Sequence, residues 1–170
     1  WLNSEFDSYL GNYKLGGGAI QEHSHGIHVL ICILTILNIK NDKYNQKIVL
    51  FKKNKKIMYD FFSTFVFTQK DIFFKYETDL ISIPPKKNIY VKFKNGYLKW
   101  VCNFESNCDA VIIQSKNKKS IKKFKKTRSS EFKNELKHIL SIKTKKQYEN
   151  SNVSVYKALD VFKIMQNLLK

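Results

Sequence analysis

The sequence predicts an α+β fold: a mostly antiparallel β-sandwich or barrel over residues 19–115, then a basic segment and two C-terminal helices over residues 116–170 packing on the same domain. Three observations predict it. Short runs rich in Ile, Val, Phe and Tyr alternate with polar turns as far as Gln114, the pattern of a sandwich or barrel. Beyond that point thirteen basic residues stand against Glu131 and Glu135 between Lys116 and Lys146. After Ser130 the apolar residues recur at helical spacing. With 170 residues, 43% hydrophobic and 14% aromatic, the chain has the length of one domain and the apolar content for a core, which excludes wholesale disorder.

Residues 1–18 form an N-terminal arm, mixed and aromatic through Trp1, Phe6, Tyr9 and Leu10, and closed by the helix-breaking run Gly16-Gly17-Gly18. Residues 27–39 are the one long apolar run. Their β-branched side chains predict a central strand buried on both faces, and thirteen residues fall short of the ~20 needed for a membrane-spanning helix. Further strands are expected at residues 47–51, 57–67, 71–76, 80–83, 88–93, 97–104 and 109–114. Asn95-Gly96 is a strong hairpin signal between the strands at 88–93 and 97–104, and Pro84-Pro85 marks a break or sheet edge before them.

Residues 116–130 carry little apolar content beyond Ile121 and Phe124, which predicts a mobile basic loop or a helix that orders on a partner. Ser129 or Ser130 then caps a helix with Phe132, Leu136, Ile139 and Leu140 on one face. A second helix starts near Ser151 or Asn152. Its stripe of Val155, Ala158, Leu159, Phe162, Met165 and Leu169 is expected to dock on the sheet, a partner helix or membrane groove being the alternative.

The formal net charge of +17 favours polyanions. Thirty lysines against the single Arg128 bear the imprint of an AT-rich genome, and they limit mechanism: Lys neutralises phosphate as a point charge, whereas base reading leans on the planar fork of Arg. The candidate polyanion-binding set is Lys116, Lys118, Lys119, Lys122, Lys123, Lys125, Lys126 and Arg128; its plain alternative is a solvated, lysine-biased loop. Tyr90, Phe93, Tyr97 and Trp100 are candidates for a base-stacking platform, although most are expected in the core. The expected function is non-enzymatic binding of nucleic acid, RNA rather than DNA, either alone or as a ribonucleoprotein subunit with protein partners. The alternative is a membrane-surface module for anionic phospholipid, since seven or so strands followed by a helix resembles the order of pleckstrin-homology-like domains.

Glu22-His23-Ser24-His25-Gly26-Ile27-His28 is the one cluster of metal-capable side chains. In an extended chain His23 and His25 share a face and His28 takes the other, so only two of the three converge easily and a structural or surface role is expected, with a metal held by His23, His25 and His28 as the alternative; no cofactor is expected. The phrase resembles the histidine-hydrophobic-histidine strand of rolling-circle replication endonucleases, without that family's spacing. Leu15-Gly-Gly-Gly-Ala-Ile20 with Ile27-His-Val29 resembles a stretch of the phosphohistidine phosphatases over some fifteen residues; the family's following Gly-Tyr-Ser is absent, and no role is carried over. Asp109 with Glu131-Phe132-Lys133 resembles the Asp and Glu-x-Lys set of restriction-type nucleases, which implies a divalent cation held against a scissile phosphate; a metal-dependent nuclease is the third alternative, and no catalytic residue is otherwise expected. Three cysteines, Cys32, Cys102 and Cys108, without a framework spacing predict a reducing, intracellular compartment. The start at Trp1 rather than Met predicts a processed or truncated product.

Overall fold

The computed structural model describes residues 12, 15–38, 46–54, 57–69, 71–83, 86–127 and 129–168. A short helix α1 (Ala19–Glu22) and a longer α2 (His25–Ile36) precede seven strands: β1 (Gln46–Asn54), β2 (Ile57–Gln69), β3 (Ile72–Asp79), β4 (Lys87–Phe93), β5 (Gly96–Glu105), β6 (Cys108–Ser115) and β7 (Lys118–Lys125). Three helices close the chain: α3 (Ser130–Ser141), α4 (Lys145–Asn150) and α5 (Val155–Leu168). Every strand pairs antiparallel with the next in chain order, and among the described residues β7 does not pair back to β1. The fold is thus α+β with an open antiparallel sheet, not a closed barrel.

The run read as a central strand is helical from Ile27 to Ile36. Ile27, Leu30, Ile31 and Leu34 are its buried members, an i, i+3, i+4, i+7 stripe, whereas Val29 and Ile36 on the other side are exposed. The β-branched side chains that argue for a strand are overridden because this stripe packs on Phe65 and Phe67 of β2, Phe74 and Tyr76 of β3 and Ile89 and Val91 of β4. Sheet residues two apart face the same way, so these six positions form one continuous apolar face.

The chain reaches α1 through Gly18, whose φ of 97° is a conformation that side chains with a Cβ rarely adopt. Buried Asp60 of β2 then accepts the Ile20 N–H at 2.8 Å and the Ser63 hydroxyl, supplying the first turn with an acceptor its own sequence lacks. Between the two helices Tyr76 donates its hydroxyl to the His23 carbonyl at 2.6 Å, and its ring lies directly over Gly26.

Elsewhere the expectations divide. The Asn95-Gly96 hairpin is present, with Phe93 paired to Gly96. Gly96 is needed there for space, since a Cβ would come within 1.9 Å of the Gln114 carbonyl oxygen on β6. Residues 80–83 form no strand: the Asp79 carboxylate accepts the Ile81 and Ser82 amides at 3.1 and 2.7 Å and turns the chain. The Pro84-Pro85 break lies outside the described residues, as does the aromatic part of the N-terminal arm. Residues 118–125, expected as a loop or helix, are strand β7, whose side chains are all exposed. An edge strand open on both faces needs no apolar alternation, and lysines suit it because they discourage pairing with other chains.

Helix α3 occupies the predicted place, with Phe132, Leu136, Ile139 and Leu140 all exposed. Helix α5 also forms, but it packs on α2 and turns a different face inward: Ile164 is buried and Val161 and Met165 join the core, while Val155, Leu159 and Phe162 are exposed. No helix of the described residues is long and apolar enough to cross a membrane.

Candidate polyanion-binding surface

The register of β7 against β6 divides its lysines between two faces. Val111 pairs with Lys122 and Ser115 with Lys118, so Lys118 and Lys122 lie on the side that carries α2; Gln114 pairs with Lys119 and Ala110 with Lys123, so Lys119, Lys123 and Lys125 lie on the other. Of these five, only Lys123 has an ion pair among the described residues, with Glu105 at 2.5 Å, both side chains about half exposed. Lys122 Nζ stands 5.3 Å from the Phe124 ring centroid and Lys123 Nζ 5.7 Å from that of Phe104, distances at which a cation is drawn to a ring face. Lys116 sits in the turn before β7 with φ 49°.

Lys126 is different. Its Nζ lies 2.7 Å from Asp109 Oδ1 and 3.6 Å from Cys102 Sγ, with little solvent around the carboxylate. Burial by itself lowers the Lys126 pKa, but the hydrogen bond to Asp109 and the neighbouring Cys102 outweigh it and leave it raised. Asp109 Oδ1 also accepts the Asn103 N–H at 2.9 Å, beside the irregular register of β5. Lys126 is therefore tied into the fold rather than offered to a ligand. Arg128 lies outside the described residues.

A second feature adjoins β7. Cross-strand neighbours Phe73, Lys92, Tyr97, Gln114 and Lys119 form one row across β3 to β7, and Lys75, Tyr90, Lys99, Ile112 and Ile121 form the next, both on the face turned away from α2. Tyr90 and Tyr97 have ring centroids 5.4 Å apart at 37°, and Phe73 meets Tyr90 edge-on at 6.4 Å. Phe93 and Trp100, grouped with these tyrosines on sequence alone, instead pack against the core. Phe73 escaped the sequence reading; its hairpin register with Tyr90 and Tyr97 is the signal that places it.

The nuclease set divides between elements. Asp109 is on β6, whereas Glu131 and Lys133 open helix α3, where a glutamate favours the helix dipole. The histidines separate too. His23 is buried between α1 and α2, Nδ1 2.6 Å from the Thr78 hydroxyl; burial first, then Lys87 and His25, push its pKa down to about 4 against an opposing pull from Asp79. His25 and His28 lie on α2 beside a cavity of about 280 Å³ shared with α5, and burial lowers the His28 pKa. Among the described residues no three His, Cys, Asp or Glu side chains come together as a metal site. Cys32, Cys102 and Cys108 are free thiols.

Compared with known proteins, the chain matches no family model, no curated protein and no solved structure.

Proposed function

We propose that this chain is a non-enzymatic nucleic-acid-binding module, for RNA rather than DNA, that holds phosphates through the lysines of β7. The observation that carries the reading is an eight-residue edge strand with five lysines, exposed on both faces, of which Lys118, Lys119, Lys122 and Lys125 have no ion pair among the described residues. Each phosphate neutralised releases condensed counterions, so affinity rests on charge and falls with salt. The reading uses the sheet as an open surface and needs no closure into a sandwich or barrel.

Lysines on an edge strand also serve the fold by discouraging strand pairing, so the test must separate binding from protection. The variant Lys118→Gln/Lys119→Gln/Lys122→Gln/Lys125→Gln is compared with the parent for binding to single-stranded RNA across a salt series. Removal of four phosphate contacts should lower the slope of log K against log salt by about 3, at roughly 0.7 per contact on a single strand. An unchanged slope, or a variant whose sole defect is self-association, refutes the reading. Vesicles with and without anionic lipid form the second arm: headgroup-dependent binding by a parent that ignores RNA assigns the same lysines to a membrane surface and overturns the RNA reading.

A further inference from the structure

We infer that the face of the sheet turned away from α2 is a stacking platform for single-stranded nucleic acid, whose bases lie on Tyr90 and Tyr97 while its phosphates run toward Lys92, Lys99 and Lys119. The inference rests on the nucleic-acid reading above and narrows it to unpaired strands.

Residue alternation generates this face. Ile89, Val91, Leu98 and Trp100 turn toward the core, so Tyr90, Lys92, Tyr97 and Lys99 turn outward, away from α2. The antiparallel register then sets each outward ring beside an outward lysine: Tyr90 is opposite both Lys99 and Lys75, and Tyr97 is opposite Lys92. Rings and ammonium groups alternate in both directions. Tyr90, Tyr97 and Phe73 are only partly buried, although three aromatic side chains so close together would hide more surface if the face belonged to a core.

Charge complementarity fixes the occupant. Lys75 is ion-paired with Glu77 at 2.6 Å, but Lys92, Lys99 and Lys119 have no acidic partner among the described residues. Across β3 to β7 the row from Phe73 to Lys119 spans four inter-strand steps, or about 19 Å at ~4.8 Å each, and it ends on the lysine strand. A duplex keeps its base faces stacked inside and offers these rings nothing; an unpaired strand presents both a π-face and a phosphate at each nucleotide. Such stacking tolerates any base, in keeping with lysines that do not read sequence.

The test compares the full chain with its Tyr90→Ala, Tyr97→Ala, Tyr90→Phe and Tyr97→Phe variants, using a mixed-sequence RNA of about 12 nucleotides, single-stranded and as a duplex. Each Ala variant should bind the single strand roughly 5- to 150-fold more weakly, the span expected for losing one stacked base, while the Phe variants keep their affinity. The salt slope should stay as in the parent, because no charge is removed. Duplex affinity should be indifferent to all four variants, and unchanged thermal melting shows that the sheet is intact. If the Ala variants bind the single strand like the parent while the β7 lysine variant does not, the platform is refuted and the phosphate reading stands. If the parent binds neither RNA, both fall together. A duplex bound as tightly as the single strand also refutes the platform.

Discussion

Gly26 of α2 lies so close against the Tyr76 ring of β3 that it makes a sharp prediction. A Cβ built on Gly26 would stand 2.3 Å from Tyr76 Cζ and 2.4 Å from both Cε atoms. In an exposed helix Gly→Ala is stabilising by about 0.8–1.0 kcal/mol, because it restrains the unfolded chain. Here the new methyl group must displace the ring by roughly an ångström to reach ordinary contact. The ring is fully buried, and its hydroxyl is held at 2.6 Å by the His23 carbonyl, so it cannot swing out to solvent. Overpacking of this kind costs about 1–3 kcal/mol, and a strained or lost hydrogen bond adds about 1. Gly26→Ala should therefore destabilise by about 2 kcal/mol net, and by roughly 4–8 °C in melting temperature for a chain of this size. The assay is urea unfolding followed by circular dichroism, with the midpoint shifted and the m-value unchanged. The decisive arm is the Tyr76→Leu background, where the ring is gone. There Gly26→Ala should lose its penalty and regain up to about 1 kcal/mol of helix preference, a change of sign. An equal cost in both backgrounds, or a stabilised single variant, refutes the assigned contact.

Two further predictions concern buried polar groups. Asp60→Ala removes the acceptor of the Ile20 amide and the Ser63 hydroxyl and should cost about 2–5 kcal/mol in the same unfolding assay, with Asp60→Asn, which keeps one acceptor oxygen, losing less. His23 stays neutral in the fold down to a pKa of about 4, whereas the unfolded residue protonates near 6.5, so the unfolded state binds the extra proton between those values. Stability should be complete above pH 6.5, fall as the pH drops toward 4 by up to about 1.4 kcal/mol per unit, and level off below; the difference between parent and His23→Gln across a pH series isolates this share, and two parallel curves would refute it.

Much of the sheet was legible because strand signals are local. Ile89 and Val91 alternate with Tyr90 and Lys92, and Asn95-Gly96 closes the hairpin, so a short window contains the information. The failures came where a second element decides. Residues 27–39 satisfy a buried strand by composition, yet 27, 30, 31 and 34 are also spaced as a helical stripe, and the six-residue apolar face of β2 to β4 selects the helix. Helix α5 has apolar residues on more than one side, so spacing alone could not say that Ile164, rather than Leu159 or Phe162, turns inward; that depends on where α2 lies. Leu80, Ile81 and Ile83 argue for a strand by composition, but the Asp79 carboxylate, by accepting the Ser82 amide and hydroxyl, makes residues 80–83 a turn.

The candidate site shows the same division, with a consequence for its chemistry. Lysine density located the charged segment, but a loop and an edge strand present that charge differently. In a loop the ammonium groups have no common plane. As β7 they are divided by register between two faces, and Lys119 is placed at the end of a row that begins with Phe73 and includes Tyr97. Edge protection can be met by an inward-pointing charge or a single lysine, and it asks nothing of Lys92 or Lys99, which sit in the interior of the sheet. Those two lysines, flanked by rings on the face turned away from α2, are therefore what a protective role leaves unaccounted for and what a single-stranded ligand would use.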